Sequence, residues 1–287
     1  MNTIITNTKM INIEIEYLQL MREILNRGKD KEDRTGTGTK SVFGRMITHD
    51  MSLGFPMLTT KKVFFKAALA EILWILQGRT DLEFLNKNGV KYWNPDYERS
   101  GRTDGTLGPV YGKQWRDFGG RDQLQMLLKG IKLDPYGRRH MISAWNPIEM
   151  DDMALPPCHY GFQVYINDSQ LDLMWNQRSA DVFLGLPYDI AMYGLLLELL
   201  AKTFGYKPGK LIGSLGDCHL YNNHLEQAKE QLSRKLSILP KIKIDKSITL
   251  TGFDNQYVGI PDIKDIQLID YNPAPAIKAP LSVGVGH

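Results

Sequence analysis

Cys158 lies in the run Ala154-Leu-Pro-Pro-Cys-His-Tyr160. Two prolines hold the chain extended into the cysteine, and the residues after it read as a strand, so the thiol sits at a rigid point from which it can be aimed. A lone cysteine serves as readily as a small core residue; a nucleophilic one needs positive charge nearby to favour the thiolate. Gln177-Arg178-Ser179 supplies that charge a hairpin away. An arginine there can lower the thiol pKa and also bind an anionic substrate. Asp33-Arg34-Thr-Gly-Thr-Gly38 places Arg34 in a glycine loop able to close over a phosphate, although the run is neither a Walker A nor a complete GxGxxG motif. Arg138-Arg139 stands at a turn after Asp134-Pro-Tyr-Gly, leading into an apolar strand at 140–144. Adjacent residues at a strand start point to opposite faces, so one pocket takes both only if the backbone is irregular; solvated surface charge is the plain reading. Four arginines around one dianion suit a phosphate monoester.

Glu71 is a carboxylate in the middle of an apolar helical segment. Burial there is costly unless the group is paired or protonated, and it raises the pKa towards the range useful for proton transfer; a helix face that meets solvent is the other reading. Asp217-Cys218-His219-Leu-Tyr221 puts polar groups at alternating positions, as a pocket-lining strand would, and makes a poor metal site. Lys61, Trp93, Tyr111 and Asp181 are further pocket candidates, each equally compatible with a structural role.

These residues need elements to position them. The chain has 287 residues, of which 43% are hydrophobic and 23% charged, enough for a substantial core and too apolar for a disordered protein. The longest apolar run, near 190–200, is broken by Glu198 and is too short to span a bilayer. No export signal opens the sequence, and two cysteines sixty positions apart fit neither a disulfide framework nor zinc pairs. A cytoplasmic protein is expected, perhaps in a virus-infected host cell. A net charge of +3 without a basic block leaves little footprint for nucleic acid. No repeat or linker divides the chain, so a single domain over 1–287 is expected. The spacing predicts an amphipathic helix over 12–27 stopped by Gly28, a buried helix over 64–77, and another over 188–203 entered through Pro187 and left through Gly205. Strands are expected at 159–166, 171–176 and 241–250. Without a regular βαβ rhythm, an α+β two-layer sandwich, one large mixed sheet against long helices, fits best.

Taken together, the motifs resemble the thymidylate synthase family. They are Asp33-Arg34-Thr-Gly-Thr-Gly-Thr39, Leu58-Thr-Thr-Lys61, Glu71-Ile-Leu-Trp-Ile-Leu-Gln-Gly78, Leu107-Gly-Pro-Val-Tyr-Gly-Lys-Gln-Trp115, Arg138-Arg139, Ala154-Leu-Pro-Pro-Cys158-His159, Gln177-Arg178-Ser-Ala-Asp-Val-Phe-Leu-Gly-Leu-Pro187, Asp217-Cys-His-Leu-Tyr221 and Ile277-Lys-Ala-Pro280. They follow the family's order from about residue 14 onward, flanked by an N-terminal extension at 1–11 and a tail extension at 281–287.

The resemblance implies transfer of a one-carbon unit from 5,10-methylenetetrahydrofolate to C5 of a pyrimidine nucleotide monophosphate, with no metal. Cys158 would attack C6 and make C5 nucleophilic. Arg34, Arg178 and Ser179 would bind the phosphate together with Arg138 and Arg139 from the partner in a homodimer whose sheets stack. Glu71 would manage protons near the base, Tyr111 would lie near C5, and His219 and Tyr221 would bind the sugar. Lys61, Trp93, Asp181 and Gly185 would serve the folate, with Asp181 also counted among the catalytic groups, as is Arg178.

One departure bears on the base. Where the family's run continues with an aromatic residue and asparagine, this chain reads Gly185-Leu-Pro-Tyr-Asp189. Aspartate can accept from a cytosine amine and, when protonated, donate to N3, and its presence resembles the viral deoxycytidylate hydroxymethylases of the family. The sequence therefore points first to hydroxymethylation of dCMP, suggesting phage DNA modification, with reductive methylation of dCMP, or of dUMP as in thymidylate synthases, as the alternatives. Trp93, His159 and the Lys-Ala-Pro tail resemble the reductive enzymes. Asn94 and the tail extension are departures that could alter water access.

Overall fold

The computed structural model describes residues 12–250 and 259–282. The expected extension at 1–11 and the tail residues 283–287 lie outside the described residues. The helices are α1 (Ile13–Arg27), α2 (Phe65–Leu76), α3 (Leu82–Lys87), α4 (Asn94–Arg99), α5 (Tyr111–Arg116), α6 (Gln123–Leu133), α7 (Leu186–Phe204) and α8 (Leu225–Leu232). The strands are β1 (Lys29–Lys31), β2 (Thr39–Asp50), β3 (Met141–Ser143), β4 (His159–Asn167), β5 (Gln170–Asp181), β6 (Lys207–Tyr221), β7 (Lys241–Ile244) and β8 (Ile266–Ile269).

The three expected helices form. Asn12 caps α1 by accepting from the Glu14 amide at 2.9 Å, and Gly28 ends it, where a Cβ would stand 2.4 Å from the Ile24 carbonyl oxygen. Glu14, 1% exposed, reaches from α1 to accept from the amides and hydroxyls of Thr59 and Thr60 at 2.7–2.8 Å. Those four bonds fix the segment that enters α2. The last of the three, α7, begins two residues earlier than the apolar pattern suggests, because Pro187 is tolerated in a first turn.

Six strands form one mixed sheet in the order β1-β2-β6-β5-β4-β3, with β5 and β6 parallel and the other neighbours antiparallel. α7 packs on β5 and β6, α1 on β2, and α2 on α7. This is the expected α+β arrangement of a large sheet against long helices. β2 and β6, the longest partners in it, were hidden by glycines that interrupt strand alternation. Gly213 is one of them: a Cβ there would lie 2.5 Å from the Trp175 ring, which stacks on Tyr193 of α7 with centroids 5.4 Å apart. The strand expected over 241–250 stops at Ile244, where the Asp245 side chain accepts from the Ser247 amide and turns the chain. β5, in contrast, runs five residues past its expected end and carries Arg178, Ser179 and Asp181.

Candidate active site

Because β5 and β6 are parallel, their carboxyl ends arrive together, with Ser179 opposite Asp217 and Asp181 opposite His219. Two cavities meet there. The first, about 320 Å³, is walled by Glu71, Tyr92, Trp93, Tyr111, His159, Tyr188 and Asp189, with Gly185 at the start of α7. The second, about 640 Å³, is lined by Arg34, Arg178, His219, Tyr221 and Trp145. Cys158, Asp96, Ser179, Asp181 and Leu281 line both.

Cys158 is held from both sides of its backbone. Its amide donates to the Tyr111 hydroxyl at 2.9 Å, and its carbonyl accepts from the Arg178 amide at 2.8 Å. The Arg178 guanidinium donates to the carbonyls of Pro157 (2.8 Å) and Pro156 (3.0 Å) and lies 5.6 Å from the Trp145 ring centroid. The paired prolines thus present two carbonyls to one arginine and stiffen the approach to the thiol. Burial pushes the Cys158 thiol up to about 11, with Arg178 and Arg34 pulling it down and Asp189 and Asp96 pushing it up. At neutral pH the group rests as a thiol, so a proton must leave before it can attack.

Glu71 is 5% exposed, and both its carboxyl oxygens are engaged. Trp93 donates its indole N–H to Oε1 at 2.7 Å, and Tyr92 donates its hydroxyl to Oε2. Burial raises the Glu71 pKa, and the two donors oppose the rise. The solvent-facing alternative is excluded.

Asp189 ends a relay. Trp175 donates to Gln177 Oε1 at 3.0 Å, which orients the amide so that Nε2 donates to Asp189 Oδ2 at 2.8 Å and to the Ser179 carbonyl at 3.0 Å. Oδ1 stands 3.9 Å from His159 Nε2. Burial lifts the Asp189 pKa to about 8; Gln177 lowers it, and Glu71 and Asp181 add to the rise. His159 is held down to about 3 by burial, so it is neutral; its Nδ1 pairs with the Tyr193 hydroxyl at 2.9 Å, and its ring stacks on Tyr111 at 4.3 Å.

On the second cavity, Lys31 and His219 converge on Asp217 at 2.7 and 3.2 Å, holding its carboxyl down at about 2, with the His219 hydrogen bond the largest cause. Tyr221 packs edge-on to His219 at 5.2 Å. Asp181 accepts from the amides of Phe183 and Leu184 at 3.0 and 3.1 Å, shaping the turn into α7.

Three expected residues lie elsewhere in the single chain. Lys61 is buried beneath the site, donates to the Phe183 carbonyl and sits 3.6 Å from the Phe183 ring centroid; burial brings its ammonium down to about 7. Arg138 and Arg139 are exposed and line neither cavity. Tyr92, Asp96 and Gln177 line the site without having been singled out. Tyr92 adjoins Trp93 in an aromatic pair, the one signal that could have marked it. Asp96 pairs with Arg99 one helical turn away in α4, an ordinary surface pattern in sequence. Among the described residues no cluster of three or more His, Cys, Asp or Glu could hold a metal, and no helix is long and apolar enough to cross a membrane.

The chain matches the family model described as thymidylate synthase over residues 15–283. It is 46% identical over 280 residues to a probable thymidylate synthase of Escherichia phage T5, an alignment covering 93% of this chain and 99% of that protein. It is 44% identical over 295 aligned positions to the thymidylate synthase of Mycoplasma mobile, again covering 93% and 99%. A thiol set between a cavity bearing Arg34 and Arg178 and an aromatic one, on a chain alike over 93% of its length, makes this protein a one-carbon transferase belonging to the thymidylate synthase family.

Proposed function

We propose that the enzyme methylates dUMP reductively at C5, giving dTMP. The carrying observation is the Gln177–Asp189 pair. Gln177 fixes Oδ2 as an acceptor, and burial keeps the carboxyl protonated at neutral pH, which leaves Oδ1 as the donor. A neutral aspartic acid held this way offers one acceptor and one donor, in the order that an asparagine amide in its place would. That suits uracil, which presents an N3 hydrogen and an O4 acceptor. The sequence ranking put dCMP first by letting a protonated Asp189 donate to cytosine N3; the Gln177 contact, which fixes Oδ2 as the acceptor, favours the uracil order instead. The relatives named thymidylate synthase support the same reordering.

The first cavity fits the family's co-substrate by its chemistry. A wall of Tyr92, Trp93, Tyr111 and Tyr188 with the Asp181 carboxylate at its edge suits a flat, amine-bearing heterocycle. When bound, methylenetetrahydrofolate supplies the one-carbon unit and, in the reductive branch, a hydride. Arg34, Arg178 and Ser179 bind the nucleotide phosphate, and His219 with Tyr221 holds the sugar. Cys158 adds to C6 once its proton has left, the electron pair of the C5–C6 bond moving towards O4 and making C5 nucleophilic. Glu71, whose pKa burial raises, serves as the proton donor towards O4 as charge develops there. Tyr111 keeps the Cys158 backbone in line, and Leu281, in both cavities, excludes water.

Met46 and Met141, on the face of the sheet opposite α7, are 62% and 56% exposed. Such apolar exposure suits a second copy stacked on the sheet, and in that dimer Arg138 and Arg139 reach the partner's phosphate cavity.

The same Gln177–Asp189 pair admits a second reading. A neutral Asp189 can also accept from the cytosine amine and donate to cytosine N3, so methylation or hydroxymethylation of dCMP is the alternative. Turnover of dUMP and dCMP with methylenetetrahydrofolate at pH 7, with the released folate identified, separates them: dTMP with dihydrofolate supports the proposal, and a product from dCMP alone refutes it.

A further inference from the structure

Tyr92, besides its place in the aromatic wall, holds a hydrogen bond to Glu71 to which the proposed reaction gives no task. It lies just before α4, lines the first cavity, packs 5.9 Å from Tyr188, and donates its hydroxyl to Glu71 Oε2. Trp93 occupies Oε1. A carboxyl group that must exchange a proton with a substrate needs a fixed direction, and two donors on its two oxygens fix both its position and its plane. Apolar packing alone would leave the carboxyl free to turn about its last bond.

We propose that Tyr92 is a positioning residue for the one-carbon transfer: its hydroxyl aims the Glu71 carboxyl into the cavity and occupies the place beside Oε2 that a water molecule would otherwise take. The inference rests on the functional reading above, since it assigns Glu71 to that reaction. Its consequence lies in the fate of the exocyclic methylene that one-carbon transfer leaves on C5. Capture by water forms a C–O bond to that carbon, pushes the electron pair of the double bond into the ring, passes the water proton to Glu71, and ends with Cys158 leaving C6 as thiolate. Tyr92 keeps Oε2 from serving that water and so favours hydride capture, which gives methyl.

The other titratable groups whose charge acts with Glu71 are Tyr111 from α5, and Tyr188 and Asp189 from α7, together with Tyr92 itself. Among the described residues the carboxyl accepts its hydrogen bonds from Tyr92 and Trp93, so Tyr92→Phe removes a donor and leaves the first three neighbours in place. A hydrogen bond to the charged form favours that form, so its loss moves the Glu71 titration upward.

The test compares the full-length wild type with Tyr92→Phe, and uses Tyr92→Leu as a second variant should the first fold poorly by circular dichroism. Carbon-13 NMR of labelled glutamate reads the Glu71 titration without substrate, and Glu71→Gln assigns the signal. The expected result is an upward movement of about one pH unit or more, a tenfold loss of kcat on whichever nucleotide the wild type accepts, an unchanged nucleotide KM, and a hydroxymethyl fraction in the product. An unmoved Glu71 titration overturns the inference, as does an unchanged kcat with pure methyl product. Wild-type inactivity on both nucleotides overturns the functional reading instead, and the titration then still decides whether Tyr92 governs Glu71.

Discussion

Gln177 Nε2 donates to Asp189 Oδ2 at 2.8 Å while Gln177 Oε1 is committed to the Trp175 indole, so Trp175 sets the direction of the amide that faces Asp189. The relation turns an ionisable residue into a directional one. Only the protonated carboxyl can donate from Oδ1, so base recognition is tied to a proton.

Relative to Asp189→Asn, which shares the Cys158 titration, the dUMP kcat/KM of the wild type should hold steady up to about pH 8 and then fall about tenfold per further pH unit as Asp189 ionises. Asp189→Asn keeps acceptor and donor at every pH and should abolish this limb. Parallel pH profiles for the two proteins would show that the base is read elsewhere. The same group bears on stability. Between the ordinary carboxylate range near pH 4 and about pH 8 the folded chain binds the extra proton, so its contribution to stability falls as pH rises through that window. The asparagine variant should therefore gain more in Tm at pH 8 than at pH 5.

Much of this site was legible in sequence, and the reasons differ from residue to residue. Cys158, Arg178 and Glu71 declared themselves because each broke a local expectation: a thiol after two prolines, a charge next to a strand's polar run, a carboxylate on an apolar helix. The helices α2 and α7 followed from apolar content and their proline and glycine boundaries. β6 did not, because Gly213 is demanded by the Trp175 ring across the sheet, a contact between residues far apart in the chain. Tyr92 and Gln177 act through hydrogen bonds to Glu71 and Asp189, and long-range pairing leaves no periodic trace. Asp189 was seen, yet its protonation depends on burial that only the folded chain shows.

The Cys158 thiol should react as one that is protonated at neutral pH. Alkylation by iodoacetamide should accelerate about tenfold per pH unit up to about pH 11. Cys158→Ser should lower kcat by about a thousandfold or more with the fold intact. A flat alkylation profile across neutral pH would mean a preformed thiolate.

Arg178 does two jobs, holding the carbonyls of Pro156 and Pro157 and lowering the thiol pKa. Arg178→Lys keeps the charge and loses the planar fork. It should raise the nucleotide KM at least about tenfold, in line with loss of charge-assisted hydrogen bonds worth ~1.5–3 kcal/mol, while the retained charge should leave the alkylation profile close to that of the wild type. Isothermal titration with the nucleotide measures the first effect; unchanged affinity would remove Arg178 from the phosphate site.

Gly213→Ala sets a methyl group 2.5 Å from the Trp175 ring. Overpacking of this kind costs about 1–3 kcal/mol, and because Trp175 orients Gln177, dUMP turnover should fall along with Tm. Denaturant unfolding and steady-state kinetics on the same preparation check both, and a stable variant with reduced activity would isolate the relay from the core.

The most direct measurement is the mass of the nucleotide formed from an equimolar mixture of dUMP and dCMP with methylenetetrahydrofolate at pH 7, read together with the folate released. The expected result is dTMP as the dominant product, accompanied by one dihydrofolate per turnover. A product derived from dCMP that carries a hydroxymethyl group, with tetrahydrofolate released, would contradict it.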